Sequence, residues 1–250
     1  LFAGIGISIL GLTHLFTADA ISFLVSILMI SLIVTPEKKK PIKTFALHID
    51  SLKEGISYIK KKAGLGTLLI LTFANNIFIM GPAFLGLAVF VKKILKEEFV
   101  IFAYMEAAMA SGMIVGSIIF WLANKYFKLV HILLIGMIID GLTFSLLYFV
   151  QSNNVAILVL FFHGIGIPLI MVARTTLIQR IVPDKFRGRI FAIIHMAVMG
   201  TTAISIGLTG LTLDYLAIDA LFLIIGICAA LCTLIGLFSK NFLNLCQNTN

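Results

Sequence analysis

Charged residues are scarce in this 250-residue chain: Asp, Glu, Lys and Arg make up 12% of it, where a soluble domain carries about 25%. Cysteine occurs three times, proline five times and tryptophan once. Cys228, Cys232 and Cys246 have no metal-ligand spacing, which excludes a zinc or iron–sulfur framework and leaves them as small apolar packing residues. The sequence lacks a Gly-rich loop closed by Lys and Ser or Thr. It also lacks a Ser, His and Asp set in a polar segment, so neither nucleotide hydrolysis nor nucleophilic catalysis has a basis in these residues. The chain is read as a non-enzyme with no cofactor and no metal. Long polar stretches are missing too, and with them any extramembrane domain.

Apolar residues fill the sequence instead, at 60% of the total, and they fall in successive runs of about 20, the length that crosses a bilayer as a helix. Spans are expected at 12–34, 66–91, 100–123, 129–150, 155–180, 190–213 and 216–238, with the tail of a further helix in 1–10. The fold class is therefore all-α: a polytopic transmembrane helical bundle of about seven complete spans plus that tail. The chain opens inside an apolar stretch without Met, and is expected to be a fragment that lacks its front.

The formal net charge of +8 is a topology signal. Lysines and arginines gather in alternate loops: 38–62, then Lys125 and Lys128, then Arg180 to Arg189, then Lys240. The intervening loops hold Lys92, Lys93 and Lys96 offset by Glu97 and Glu98, an uncharged 151–154, and Asp214 with Asp219. Excess Lys and Arg marks loops kept in the cytoplasm, so the linker and the C-terminus are expected there, in a cell (inner) membrane. No basic and aromatic interleaving appears on a soluble surface, which excludes nucleic acid as a partner. In the linker, Phe45, Ile49, Leu52, Ile56 and Ile59 recur at helical steps among lysines. That pattern predicts an amphipathic helix lying apolar side down on anionic lipid.

Several motifs carry a family resemblance. Asp19-Ala20-Ile21-Ser22-Phe23-Leu24, Lys53-Glu54-Gly55-Ile56-Ser57-Tyr58-Ile59 and Val182-Pro183-Asp184-Lys185-Phe186-Arg187-Gly188-Arg189-Ile190-Phe191 resemble the sixth helix, the central linker and the loop between the tenth and eleventh helices of major facilitator superfamily transporters. The resemblance is to the bacterial efflux branch of enterobactin exporters and macrolide efflux permeases. It implies four parts: the end of an N-terminal helical half at 1–35, a cytoplasmic amphipathic linker at 36–65, a C-terminal six-helix half at 66–240 and a cytoplasmic tail at 241–250. The rest of the N-terminal half is then missing from this chain. Asn124-Lys125-Tyr126-Phe127-Lys128 resembles the superfamily's acidic-basic-Gly-basic gating motif, with Asn in place of the acid and Phe in place of the Gly. Arg187, Gly188 and Arg189 are implied gating elements, with Gly188 permitting a tight turn.

An ionisable group near mid-membrane costs at least about 2.5 kcal/mol, so each one needs a partner, a cavity or a function. The resemblance puts 66–91, 100–123, 155–180 and 190–213 around the cavity. Glu106 is then the first candidate for a protonatable coupling group or a contact for a cationic substrate, against a neutral carboxyl that serves packing. Asn75 and Asn76 offer substrate hydrogen bonds or interhelical ones. His163 is a proton relay or an interhelical donor. Arg174 binds an anionic substrate or a gating acid, or snorkels to the interface, while Asp19 and Asp140 are expected to be structural. Ala108, Gly112 and Gly116 form a small-residue seam, and Gly81-Pro82 and Gly164 to Pro168 are expected to interrupt their spans. The function expected is secondary transport, a permease or antiporter exporting a small amphipathic compound (drug, macrolide or siderophore) with the proton as coupling ion. The alternatives are a lysophospholipid flippase and a truncated, non-transporting remnant or subunit.

Overall fold

The computed structural model describes the backbone of residues 2–33 and 45–245, and the side chains of residues 14, 16–33 and 50–245. Every regular element among the described residues is a helix. The chain divides into two compact units, Leu1–Leu47 and His48–Asn250.

The first unit is built on α1, Phe2–Ser31. The tail and the first span expected from the sequence are one continuous helix here, since no proline interrupts 2–31 and glycine alone does not end a helix in lipid, where leaving the helix strands backbone groups. At 30 residues it runs about 45 Å, longer than a roughly 30 Å hydrocarbon layer. Ser22 and Ser26 fold their hydroxyls back onto the carbonyls of Asp19 and Ser22 at 2.7 and 2.9 Å, so they expose no polar group beyond the helix itself. Asp19 enters no interaction beyond this backbone bond among the described residues.

The linker forms a helix as its periodicity predicts, α2 at Phe45–Lys61, and Gly64 in the left-handed region (φ 84°) turns the chain into the bundle. Six helices of the second unit are long and apolar enough to cross a membrane: α3 Leu65–Leu95, α4 Phe99–Ala123, α5 Leu129–Phe149, α6 Asn153–Ile181, α7 Asp184–Thr212 and α8 Ile218–Phe238. A single turn, α9 at Lys240–Leu243, follows. Helix α7 starts six residues before the expected 190, because Pro183 supplies an extended residue just ahead of Asp184 and the acid opens the first turn. Gly188 consequently lies inside a helix with open space where a Cβ would stand, and no tight turn depends on it.

Packing follows the small residues. Helix α4 lies against α6, and α5 lies between α6 and α8, while α3 meets α7 and α8. In the α4–α6 seam a Cβ on Gly112 would run into the Phe161 carbonyl, one on Gly116 into that of Ile165, and one on Gly164 into that of Met109. The expected seam is present, and it brings backbone against backbone. Pro168, by contrast, sits within a continuous α6, so the interruption expected at 164–168 does not occur. Pro82 does interrupt its span: α3 widens to π-helical turns at Pro82–Gly86 and again at Val91–Leu95.

Two apolar clusters form the core. One gathers Leu68, Leu71, Leu133, Met137, Leu177 and Ile190, toward the end of the bundle that carries the basic residues. The other gathers Ile79, Phe90, Phe144, Leu160 and Phe222 toward the opposite end. Between the clusters, α3, α5 and α6 bury the polar side chains Thr72, Asn75, Asn76, Asp140, Thr143 and His163.

Candidate functional site

The site is that intervening polar layer. Asn75 is ten residues into α3, Asp140 eleven into α5 and His163 ten into α6, which places all three roughly 15 to 17 Å from a helix end, near the middle of a 30 Å hydrocarbon core. Each lies on its helix face between the two clusters, so folding the apolar residues carries the three inward. They are only 5%, 2% and 4% exposed.

The three side chains form one network. Asn75 Nδ2 donates to Asp140 Oδ2 at 2.9 Å. His163 Nδ1 is 3.2 Å from Asp140 Oδ1 and 3.0 Å from Thr143 Oγ1. Thr143 has a single hydroxyl proton, and its Oγ1 lies 2.7 Å from the Ile139 carbonyl and 3.0 Å from that of Asp140. With that proton committed to a backbone carbonyl, Thr143 accepts from His163, which assigns a proton to Nδ1. The Asp140 carboxylate lies beside the same nitrogen. His163 Nε2 has no partner among the described residues, and Phe144 closes one side of the ring edge-on at a centroid distance of 4.9 Å. Asn75 Oδ1 is buried with nothing to accept from. A buried acid–imidazole contact with one ring nitrogen free is chemically a place to hold and pass a proton.

The structure thus joins Asn75, Asp140 and His163, and adds Thr143, which the sequence reading did not single out. The signal was available: Asp140 and Thr143 are one turn apart, and residues 140 and 163 are equally far from the 151–152 turn, which puts them at the same height in an antiparallel helix pair. Asn76 does not join this network: its Nδ2 donates to the Thr72 carbonyl of its own helix at 2.8 Å. Glu106 and Arg174 are both partly buried, and neither has an ion pair or hydrogen bond among the described residues.

The basic end carries a second arrangement. One side of α2 turns toward the bundle: Gly55 and Ile59 are buried, and a Cβ on Gly55 would stand 2.7 Å from Ile193 Cδ1. Tyr58 stacks on Phe186 at 4.7 Å and 20°, its hydroxyl donates to the Ile181 carbonyl at 3.4 Å, and burial raises its pKa. Arg189 pairs with Glu54. Arg187 pairs with Asp184 at 2.7 Å and donates to the Gln179 carbonyl at 3.0 Å. Lys125 lies over the Trp121 ring at 3.7 Å, whereas Lys128 ends the turn as the residue before α5. Of the stripe expected to lie on lipid, Ile59 is covered by protein and Leu52 packs against the same core, Ile56 is exposed, and the side chains of Phe45 and Ile49 lie outside the described residues; Lys53, Lys60 and Lys61 remain outward.

Six apolar spans around a polar centre define a multi-pass helical membrane protein. Residues 121–242 match the family model of the Major Facilitator Superfamily, and together these observations support a membrane transporter in the general sense. No curated protein and no solved structure matches the chain.

Proposed function

We propose that this chain belongs to a secondary active transporter of the Major Facilitator Superfamily, and that it exports a small amphipathic compound (drug, macrolide or siderophore) in exchange for protons. The observation that carries the reading is the Asp140–His163 contact, two titratable groups 3.2 Å apart and buried between two apolar clusters. A proton taken at His163 Nε2 adds one positive charge to a layer that joins α3, α5 and α6, and its release from the Asp140 side removes that charge again. Such a change biases one arrangement of these helices over another, which is what alternating access requires. Glu106, with no partner among the described residues, is the second protonatable group and the contact for a cationic substrate. In this reading the basic end faces the cytoplasm, the membrane is the cytoplasmic one, and Arg187 and Arg189 with α2 steady the inner gate.

The experiment is ethidium export from vesicles with an imposed proton gradient, with proton movement followed by a trapped pH dye. His163→Gln is expected to uncouple the two fluxes, leaving downhill ethidium movement while proton movement falls at least tenfold. Glu106→Gln is expected to weaken ethidium export while proton movement persists. Gradient-driven export that is unchanged in both variants would remove proton coupling from the proposal. Competition by lysophospholipid with no export of ethidium or macrolide would redirect it to lipid flipping.

A further inference from the structure

Helix α3 is entered by a side chain from another helix at the point where its regular turns end. Ser205 of α7, 1% exposed, donates its hydroxyl to the Ile77 carbonyl at 2.7 Å and accepts the Gly81 N–H at 2.7 Å. In an uninterrupted α-helix the Gly81 N–H would bond the Ile77 carbonyl directly. Ser205 therefore bridges both groups of that one rung. The next residue is Pro82, which has no N–H to give, and the π-helical turn of Pro82–Gly86 begins there. Gly81 admits the wedge because a Cβ there would collide with the Ser205 carbonyl and with Thr209 Oγ1.

A second position for the hydroxyl would cost no hydrogen bonds. Thr201 and Thr212 of the same helix donate back to the carbonyls four residues earlier, at 2.6 Å each. Ser205 turned the same way would bond the Thr201 carbonyl, and the Gly81 N–H would then close onto the Ile77 carbonyl. Both arrangements contain two hydrogen bonds and strand no group in lipid. The buried side chains of α7 beyond Ile194 are Thr201, Ser205 and Thr209, so no large apolar side chain locks this half of α7 in place. The wedge also stands near the boundary between the two apolar clusters, at the foot of the segment of α3 that carries Leu87 and Phe90.

We propose that Ser205 is a two-position switch that bends α3 at Gly81–Pro82 when it bridges the rung and lets α3 straighten when it bonds its own helix. This holds whichever ion drives transport. Lys92 is ten residues beyond Pro82, a lever of about 15 Å, so a change of about 20° moves it by about 5 Å.

The test is fluorine NMR of the full chain in bicelles, with a trifluoromethyl tag on Lys92→Cys and the native cysteines replaced by Ala. Two resonances in slow exchange are expected. Ser205→Ala is expected to shift their ratio at least tenfold toward the straight form, and Thr212→Ala to leave the ratio unchanged. Ser205→Cys, which keeps the size but weakens the donor, is expected to shift it in the same direction and by less, and supplies the comparison if the alanine variant does not fold. A single resonance in the unsubstituted background, or two whose ratio is indifferent to both Ser205 variants, would overturn the switch.

Discussion

Replacing His163 by Ala tests whether the polar layer is one energetic unit. The variant loses the Nδ1 hydrogen bond to Thr143, the 3.2 Å polar contact with Asp140 and the edge contact with Phe144. Interhelical hydrogen bonds in membranes are worth about 0.6 kcal/mol on average and up to about 1.7, and an aromatic edge contact about 0.5 to 1.5. A loss of about 2 to 4 kcal/mol is therefore expected from the single change. Asp140→Ala removes the other side of the contact and releases Asn75 Nδ2 as well. The double variant should then be less damaged than the sum of the two by about 1 to 2 kcal/mol, the range for residues in one network. The measurement is equilibrium unfolding in bicelles followed by steric trapping, run as a cycle. Tyr58→Ala serves as the distant partner, since it bonds Ile181, roughly 27 Å along α6 from His163. That pair should add within about 0.5 kcal/mol. A coupling between Asp140 and His163 no larger than in the control pair would refute the claim that the two act together.

Gly112→Leu should separate α4 from α6, costing at least about 1 to 3 kcal/mol by overpacking and lowering the detergent melting temperature, while Gly188→Ala, with open space at its Cβ, should leave it unchanged. Glu54→Gln together with Tyr58→Ala should release α2, read as faster hydrogen exchange in residues 50–61 with no change in α5 or α8. The docking of α2 should also depend on pH. Tyr58 holds its proton more firmly in place than free, so the contact is at full strength below the ordinary tyrosine value of 10.0 and weakens as pH rises through the raised one. Exchange protection in α2 that falls only above pH 10, and a flat profile in Tyr58→Phe, are the expected results.

Much of this architecture is legible in the sequence because lipid leaves the backbone few choices. A run of about 20 apolar residues becomes a helix, and α4, α5, α6 and α8 begin and end within about three residues of where the runs do. The amphipathic α2 and the Gly112–Gly116 seam follow from the same periodic reasoning. The α7 start was missed because charge was read as loop: Asp184 to Arg189 are polar enough for a turn, yet they continue the helix and meet α2 with Phe186 and Arg189. Pro168 was read as a break, although α6 continues through it. The polar layer was half visible. The depths of Asp140 and His163 follow from counting residues, but which way each helix is rotated depends on tertiary packing, and that rotation joins Asp140 to Asn75 and His163 while leaving Glu106 outside their network. Ser205 carried no signal of its own, since a serine in an apolar helix usually bonds its own backbone.

The glycine seam bears on how the bundle is made. Helix α4 finds its main partner in α6, not in its neighbour α5, and its seam residues have nothing to close against until α6 has been synthesised. Between the end of α4 and the end of α6 the ribosome adds roughly 60 residues, about 3 to 12 s at 5 to 20 residues per second. Through that interval α4 waits at the insertion machinery with a bare backbone face. Its assembly is therefore a matter of timing as well as affinity: slowing translation through α5 should lengthen its exposure, and an insertase that shelters small-residue faces should bind the nascent chain most strongly there.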